Sequence, residues 1–329
     1  MTVIAGIDEA GYGPRLGPLV TSCAALRVDI PAERAADAAP PCLWERLSGC
    51  VARPGRGCGR RLAVGDSKAV YSSGGPLTGL ERAVLAFSAL DGGGDPAGWP
   101  EELFVRLLSA RCRSSLAEHP WYADRGEHLP LDSDGAELAE SAGALAAACR
   151  RSGVGPAWLA SRALAEGEYN RRVERTNNKA TVLLGLVTEL LAGARTAAGA
   201  EALHVVVDRL GGRTDYAPLL SAAFPGGFVW RLGSGPEEQA YRVDGLAGPT
   251  VVRFRIKADR DCFATALASM VSKYLRELCM RRFNAWWRDI DACLPATTGY
   301  HADAGPFLDA AGPHRERLGI ADGMLIRSR

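Results

Sequence analysis

Two neighbouring carboxylates near the start of the chain carry the clearest chemical signal in the sequence. Asp8 and Glu9 follow the apolar run Val3 to Ile7, and a glycine-rich turn follows them. The run predicts a buried strand. Consecutive strand residues face opposite sides, so both acids serve one site only if the strand ends there. Two close carboxylates repel unless a cation lies nearby, and Mg²⁺ prefers such oxygen ligands. Two solvated acids before a loop would give the same pattern.

Two later acids also follow predicted strands. Asp208 ends the β-branched run that begins at His204, and Asp259 follows the predicted strand Val251 to Ile256. A carboxylate at the C-terminal end of a buried strand in an α/β sheet lies where active sites collect. On its own, Asp208 is equally consistent with a helix N-cap or the start of a turn.

The first motif resembles the opening of the type 2 ribonucleases H, the ribonuclease HII and HIII family. That family begins its catalytic domain with Asp-Glu and continues with Gly-Arg-Gly or Gly-Lys-Gly. Here Asp8-Glu9 is followed by Gly11-Tyr12-Gly13, in which tyrosine replaces the basic residue. The departure leaves open whether the substrate is that of the family.

Further motifs of the family occur in the same order along the chain. Asp66-Ser67-Lys68 resembles a segment that lies near the substrate backbone, and Asp208 and Asp259 match the third and fourth acids of the family. The family then has a helix with the pattern Ala-Ser-x-x-x-Lys, which residues 268–273 match. It also has a Gly-Tyr pair, which residues 299–300 match. Through these matches the resemblance implies two sets of site residues. The catalytic, metal-binding set is Asp8, Glu9, Asp208 and Asp259. The substrate-binding set is Gly11, Tyr12, Gly13, Ser67, Lys68, Ser269, Lys273 and Tyr300.

The resemblance implies an α/β, ribonuclease H-like fold with a mixed five-stranded sheet flanked by helices. The catalytic domain would comprise residues 1–96 and 153–329, including a helical C-terminal part, with a helical insertion at 97–152. Because the Gly-rich stretch 91–96 precedes the insertion, we expect a peripheral excursion. Strand–helix alternation in the second half independently favours an α/β layer architecture.

The implied activity is metal-dependent endonucleolytic cleavage, with Mg²⁺ or Mn²⁺ as cofactor. The substrate would be the RNA strand of RNA/DNA hybrids, or ribonucleotides embedded in duplex DNA, and the products a 3′-hydroxyl and a 5′-phosphate. Two alternatives stay open. One is a nuclease of the same superfold that cuts double-stranded RNA or DNA junctions, since a fold does not fix a substrate. The other is a catalytically silent nucleic-acid-binding protein.

Composition limits the partners and the compartment. The 329 residues carry a net charge of +1, so a nucleic-acid surface must be a local patch. The Gly-rich segment containing Arg53, Arg56, Arg60 and Arg61 predicts a solvated loop or a phosphate contact. Nine cysteines without a C-x-x-C pair indicate a reducing, cytoplasmic setting. No apolar run reaches the roughly 18 residues of a membrane span, and we expect a monomer.

Several secondary-structure elements are predicted from hydrophobic periodicity. The sequence predicts an antiparallel second strand at Pro18 to Val28 and a third at Gly153 to Ala165. It predicts helices over the following stretches: Leu80 to Leu90, Glu101 to Leu116, Ala136 to Arg151, a helix opened by Asn170, Ala180 to Leu191, and one from Phe263.

Overall fold

A computed structural model gives the structure of residues 1–30, 41–55, 57–72, 74–92, 96–98 and 100–328. Arg56 of the basic segment lies outside these ranges, as do residues 93–95 of the Gly-rich stretch and residue 99 of the expected insertion.

A mixed sheet lies at the centre of the molecule, in the strand order β5-β2-β1-β6-β9-β8-β7. Two short strands, β3 and β4, form a separate parallel pair. The strands are β1 (Thr2–Ala10), β2 (Leu19–Val28), β3 (Val51–Ala52), β4 (Leu62–Ala63), β5 (Val154–Leu164), β6 (Ala202–Asp208), β7 (Phe228–Ser234), β8 (Glu238–Asp244) and β9 (Thr250–Arg255).

The mixed sheet flanked by helices confirms the predicted fold class, but the central sheet has seven strands in the described part of the chain, where five were expected. The difference lies in the β7–β8 hairpin, which extends the sheet beyond β9 through antiparallel pairing. Strand β8 was not predicted. Its side chains Tyr241 and Val243 are buried in the cluster beneath the helices Lys179–Ala198 and Ala217–Ala223, in contacts that a local pattern does not reveal.

Strand register explains how the acids are brought together. As predicted, β1 and β2 are antiparallel, with Thr2 opposite Val28. Strand β1 is also parallel to β6, with Ile7 opposite Val207. Asp8 and Asp208 therefore leave neighbouring strands at the same edge of the sheet, where strand spacing is about 4.8 Å.

Helices cover both faces of the sheet. The helices are α1 (Leu43–Arg46), α2 (Ser67–Val70), α3 (Thr78–Gly92), α4 (Pro100–Leu107), α5 (Ala110–Ala117), a 3₁₀ turn η1 (Pro120–Tyr122), α6 (Gly135–Arg151), α7 (Glu166–Thr176), α8 (Lys179–Ala198), α9 (Ala217–Ala223), α10 (Ala258–Asp261), α11 (Phe263–Ile290), α12 (His301–Leu318) and α13 (Asp322–Leu325). Among the described helices, only α8 is long and apolar enough to cross a membrane. The core helix of a globular protein can have the same length and composition. Its apolar side chains pack with α9 against one face of the sheet.

The long helix α11 packs against the other face, and a glycine permits its close approach. A Cβ atom on Gly6 would lie 2.0 Å from the backbone nitrogen of Thr265, so only glycine fits there. The Thr265 hydroxyl donates to the carbonyl of Val206 at 3.0 Å. These contacts fix the start of α11 over β1 and β6, directly behind the acids.

Residues 97–152 are largely helical as expected, but their packing contradicts a peripheral excursion. Leu103, Phe104 and Leu145 belong to the same buried cluster as α11. Trp121, 1% exposed, stacks on Trp287 of α11 with ring centroids 6.3 Å apart. Because the insertion's apolar side chains complete this core, it is an integral part of the fold.

Two helix boundaries also differ from the predictions. The predicted helix Glu101 to Leu116 is broken into α4 and α5, and Ser109 caps α5 by accepting the N–H of Cys112. Helix α7 begins at Glu166, so Asn170 lies within it. The amide of Asn170 is buried and donates to the carbonyls of Gly323 and Ile326. Asn170 therefore acts in tertiary packing where the sequence suggested a cap.

Candidate active site

Asp8 and Asp208 lie at the carboxyl ends of neighbouring parallel strands, on the face that α11 covers. Asp8 is buried, with 8% of its surface exposed. Its Oδ1 accepts the N–H of Glu9 at 2.8 Å, and its backbone carbonyl accepts the hydroxyl of Ser272 at 3.0 Å. Alternation along β1 directs Glu9 to the opposite face, where it lines a cleft of ≈ 560 Å³ with Tyr12.

Asp208 and Asp259 are joined through the turn that follows β9. Asp208 Oδ1 accepts the N–H of Ala258 at 2.8 Å, which anchors the start of α10. Lys257 precedes it in the left-handed region, with φ of 54°. This bend lets the chain reverse after β9, so that Asp259 on α10 comes within electrostatic range of Asp208.

Electrostatic coupling links Asp8, Glu9 and Asp259 to Asp208. Burial raises the pKa of Asp8 well above its usual value, and the charges of Glu9 and Asp208 raise it further. Burial, followed by the charge of Asp208, raises the pKa of Glu9 to about 7. Burial also raises the pKa of Asp208 and that of Asp259. A cation placed among them would remove this repulsion.

Lys68 supplies a positive charge to this site. Its charge lowers the pKa values of Glu9, Asp208 and Asp259, in opposition to burial. Asp66 fixes the start of α2 by accepting the N–H of Lys68 at 2.9 Å. The Asp-Ser-Lys segment thus places a lysine beside the acids, in the position expected for a phosphate contact.

Asp66, the first residue of the Asp-Ser-Lys motif, is a fifth acid near the site. It caps α2, and its charge also raises the pKa of Asp259. The signal was present in the motif itself, since Asp66 is the residue next to Ser67. The Ser269 hydroxyl on α11 donates to that of Ser67 at 3.2 Å, and Ser269 also lowers the pKa of Asp8, in opposition to burial.

The donor set suits a hard divalent cation, because all the candidate ligands are carboxylate oxygens. Among the described residues, however, no group of three or more His, Cys, Asp or Glu side chains is arranged to hold a metal ion. Mg²⁺ is usually bound by one or two carboxylates together with waters and substrate phosphates. Asp8 and Asp208, at the ends of neighbouring strands, supply two such carboxylates.

Tyr12 lies at the mouth of the cleft beside Glu9. Its half-buried ring packs against the apolar clusters under α8, and the Lys179 ammonium lies 5.3 Å from the ring centroid. Gly11 is buried with φ of 86°, whereas Gly13 is exposed. A Cβ on Gly11 would lie 2.7 Å from the Pro18 carbonyl oxygen. Glycine is therefore required at position 11 by the fold itself.

The remaining two predicted substrate contacts, Lys273 and Tyr300, differ in how accessible their side chains are. Lys273, one turn beyond Ser269 on α11, pairs with Glu277 at 2.7 Å and lies 5.1 Å from the Tyr71 ring centroid. Tyr300 is 42% exposed and stands at the N-cap of α12. Its ring is free to receive a ligand, while Lys273 must leave its ion pair to do so.

No protein-family model matches the sequence, and no curated protein matches it. Among solved structures, the chain is similar to one in the PCNA:RNase HII complex from Archaeoglobus fulgidus, with 16% identity, a TM-score of 0.41, and coverage of 99% of this chain and 94% of that one. It is similar to the ribonuclease H2 from Pyrococcus horikoshii OT3, with 15% identity, a TM-score of 0.39, and coverage of 98% and 92%. It is also similar to Bst-RNase HIII in complex with Mn²⁺, with 13% identity, a TM-score of 0.42, and coverage of 99% and 66%. Such low identities and scores assign no activity, so function must be inferred from the site.

Proposed function

We propose that the protein is a metal-dependent endonuclease that cuts the RNA strand of RNA/DNA hybrids, or cuts at ribonucleotides embedded in duplex DNA. The observation that carries the proposal is that Asp8, Glu9 and Asp259 are each coupled electrostatically to Asp208, and that Lys68 acts on three of these four acids. A structural salt-bridge network would pair its acids with cations. Here burial and neighbouring acids raise the pKa values, which is the pattern of a functional site.

Each acid has a distinct part in the proposed reaction. Asp8 and Asp208 would hold Mg²⁺ or Mn²⁺ between them, and Glu9 and Asp259 would complete the site from either side. The bound metal supplies a lowered pKa for the attacking water and stabilisation of the leaving 3′-oxygen. Lys68 would bind a phosphate oxygen and hold the strand over the acids. Cleavage would leave a 3′-hydroxyl and a 5′-phosphate.

Recognition of the ribonucleotide would fall to the loop that follows β1. Gly13 is exposed and leaves open space above its backbone, since a Cβ there would meet no atom within 4 Å. A nucleic-acid strand can therefore approach the main chain closely. The 2′-hydroxyl is the group by which a protein tells RNA from DNA. Backbone groups at Tyr12 and Gly13 would contact it.

A panel of four substrates tests the proposal: a uniform RNA/DNA hybrid, a DNA duplex with one ribonucleotide, double-stranded RNA and plain duplex DNA. We expect Mg²⁺- or Mn²⁺-dependent cleavage of one or both of the first two. Asp8→Asn and Asp208→Asn should abolish it while hybrid binding in EDTA persists, because each change removes a charge but keeps the volume.

A matched control comes from α10. Asp259→Asn should reduce cleavage, whereas Asp261→Asn, two residues away, should not. The Asp261 side chain is 63% exposed and faces Arg255 at 3.7 Å. Wild-type cleavage confined to double-stranded RNA or plain duplex DNA would refute the proposed substrate. Binding without cleavage by the wild-type protein would refute the proposed activity.

A further inference from the structure

A buried arginine far along the chain holds the loop that follows β1. The Arg327 guanidinium is 4% exposed and donates to the carbonyls of Gly11, Tyr12 and Gly17, the second at 3.1 Å. Its own backbone N–H donates to the carbonyl of Arg15 at 2.8 Å. One residue thus contacts the recognition loop, residues 11–18, at four points.

Arg327 is itself fixed by α7. The guanidinium carbon lies 4.2 Å from the centroid of the Tyr169 ring, a cation–π contact. The side chain of Asn170, the next residue, accepts the N–H of Ser328 at 2.7 Å and donates to the carbonyl of Ile326 at 2.7 Å. These contacts hold the Arg327 guanidinium against the loop.

A second buried group supports the other half of the loop. Arg276 of α11, fully buried, donates to the carbonyls of Pro18 and Leu16 at 3.0 and 3.2 Å. Glu166, also fully buried, accepts the N–H of Gly17 at 2.9 Å. Within the described part of the chain, however, only Arg327 donates hydrogen bonds to the Gly11 and Tyr12 carbonyls, which adjoin the proposed recognition point.

The direction of these carbonyls decides what the loop presents outward. In a planar trans peptide the C=O of one residue and the N–H of the next point in opposite directions. When the Gly11 and Tyr12 carbonyls turn inward to Arg327, the N–H groups of Tyr12 and Gly13 turn away from it. We propose that Arg327 is a positioning residue that orients these two N–H donors for ribonucleotide recognition. This inference rests on the proposed function.

The test compares Arg327→Gln with Arg195→Gln. Arg195 is likewise buried, at 8% exposure, and donates to the carbonyls of Gly199 and Glu201. Those residues lie between α8 and β6, at the edge of the sheet opposite the acids. Arg195→Gln therefore removes a comparable buried arginine without touching the recognition loop.

Two readouts are measured on the full-length variants. The first is hydrogen–deuterium exchange of residues 11–18 in the metal-free protein, which Arg327→Gln should accelerate. The second is the ratio of kcat/KM for a duplex with one ribonucleotide to that for the all-DNA duplex. We expect that ratio to fall by about 10- to 100-fold, with the loss in kcat, because the phosphate contact from Lys68 remains. Arg195→Gln should change neither readout.

The two readouts separate the inference from the proposed function. Absence of ribonucleotide-dependent cleavage by the wild-type protein would refute the proposed function alone. Unchanged exchange in folded Arg327→Gln, or equal loss of discrimination in Arg195→Gln, would overturn the inference alone. If Arg327→Gln does not fold, Arg327→Lys serves instead. It keeps the charge but loses the fork that binds several carbonyls, so loop exchange should still accelerate and discrimination should still fall.

Discussion

A buried glutamate on α3 offers a quantitative test of how the insertion is joined to the catalytic core. Glu81 is fully buried and accepts the N–H groups of Leu131, Asp132 and Ser133 at 2.6–2.9 Å, together with the hydroxyl of Tyr274 at 2.9 Å. Glu81→Ala leaves four donors without their acceptor. Breaking such a buried network by removing one member costs about 3–5 kcal/mol. Tyr274→Phe removes one of these bonds and should cost about 1–2 kcal/mol.

The measurement is the free energy of unfolding from urea titrations monitored by tryptophan fluorescence and circular dichroism. Glu140→Gln is the control, because its ion pair with Arg60 is exposed and 3.7 Å long and should contribute less than about 1 kcal/mol. A loss under about 1 kcal/mol for Glu81→Ala would refute the claim that this carboxylate ties the segment 131–133 to α11. Two separate unfolding transitions in the wild-type protein would refute the single shared core.

Three further outcomes are expected. Replacing residues 100–151 with a Gly/Ser loop should leave the protein unable to fold, as seen by loss of a cooperative thermal transition; a folded, active deletion protein would contradict the packing. Tyr12→Arg should tighten hybrid binding and steepen its salt dependence by about one unit of slope, and Tyr12→Ala should weaken activity. Identical salt slopes and activities in the wild-type protein and both variants would show that Tyr12 does not touch the substrate. Glu9 has a pKa raised from 4.5 to about 7, so between these values the folded state holds a proton that the unfolded state lacks. In EDTA, stability should therefore fall as pH rises through this window, and Glu9→Gln should reduce the fall in melting temperature.

The amino-acid sequence alone was enough to predict those parts of the fold that depend on local residue patterns. The strand that carries Asp8 and the one that ends at Asp208 were predicted because in each an apolar run leads to an acid. Strand parity allowed Asp8 and Glu9 to serve one site only if the strand ended there, but β1 continues to Ala10 and Glu9 faces the opposite side of the sheet. The metal-binding role of these acids stays a prediction, since it depends on side-chain movements and a ligand.

The rest depended on contacts that local pattern does not encode. Residues 97–152 look amphipathic whether their apolar side packs on itself or on α11, so their place in the main core was missed. Asn170 has the residue type of a helix cap, yet its amide is used by residues 323–328. Arg327 gave no signal, because an isolated arginine in a sequence is most often on the surface.

The contact between Arg327 and Gly11 has a consequence for how the protein is made. The two residues are 316 positions apart in the chain. At a synthesis rate of roughly 5–20 residues per second, the loop leaves the ribosome roughly 15–60 s before its arginine does. During that interval β1 and β2 can pair, but the turn between them has no internal support. A nascent chain would therefore carry Asp8 and Glu9 long before the loop beside them takes its final form.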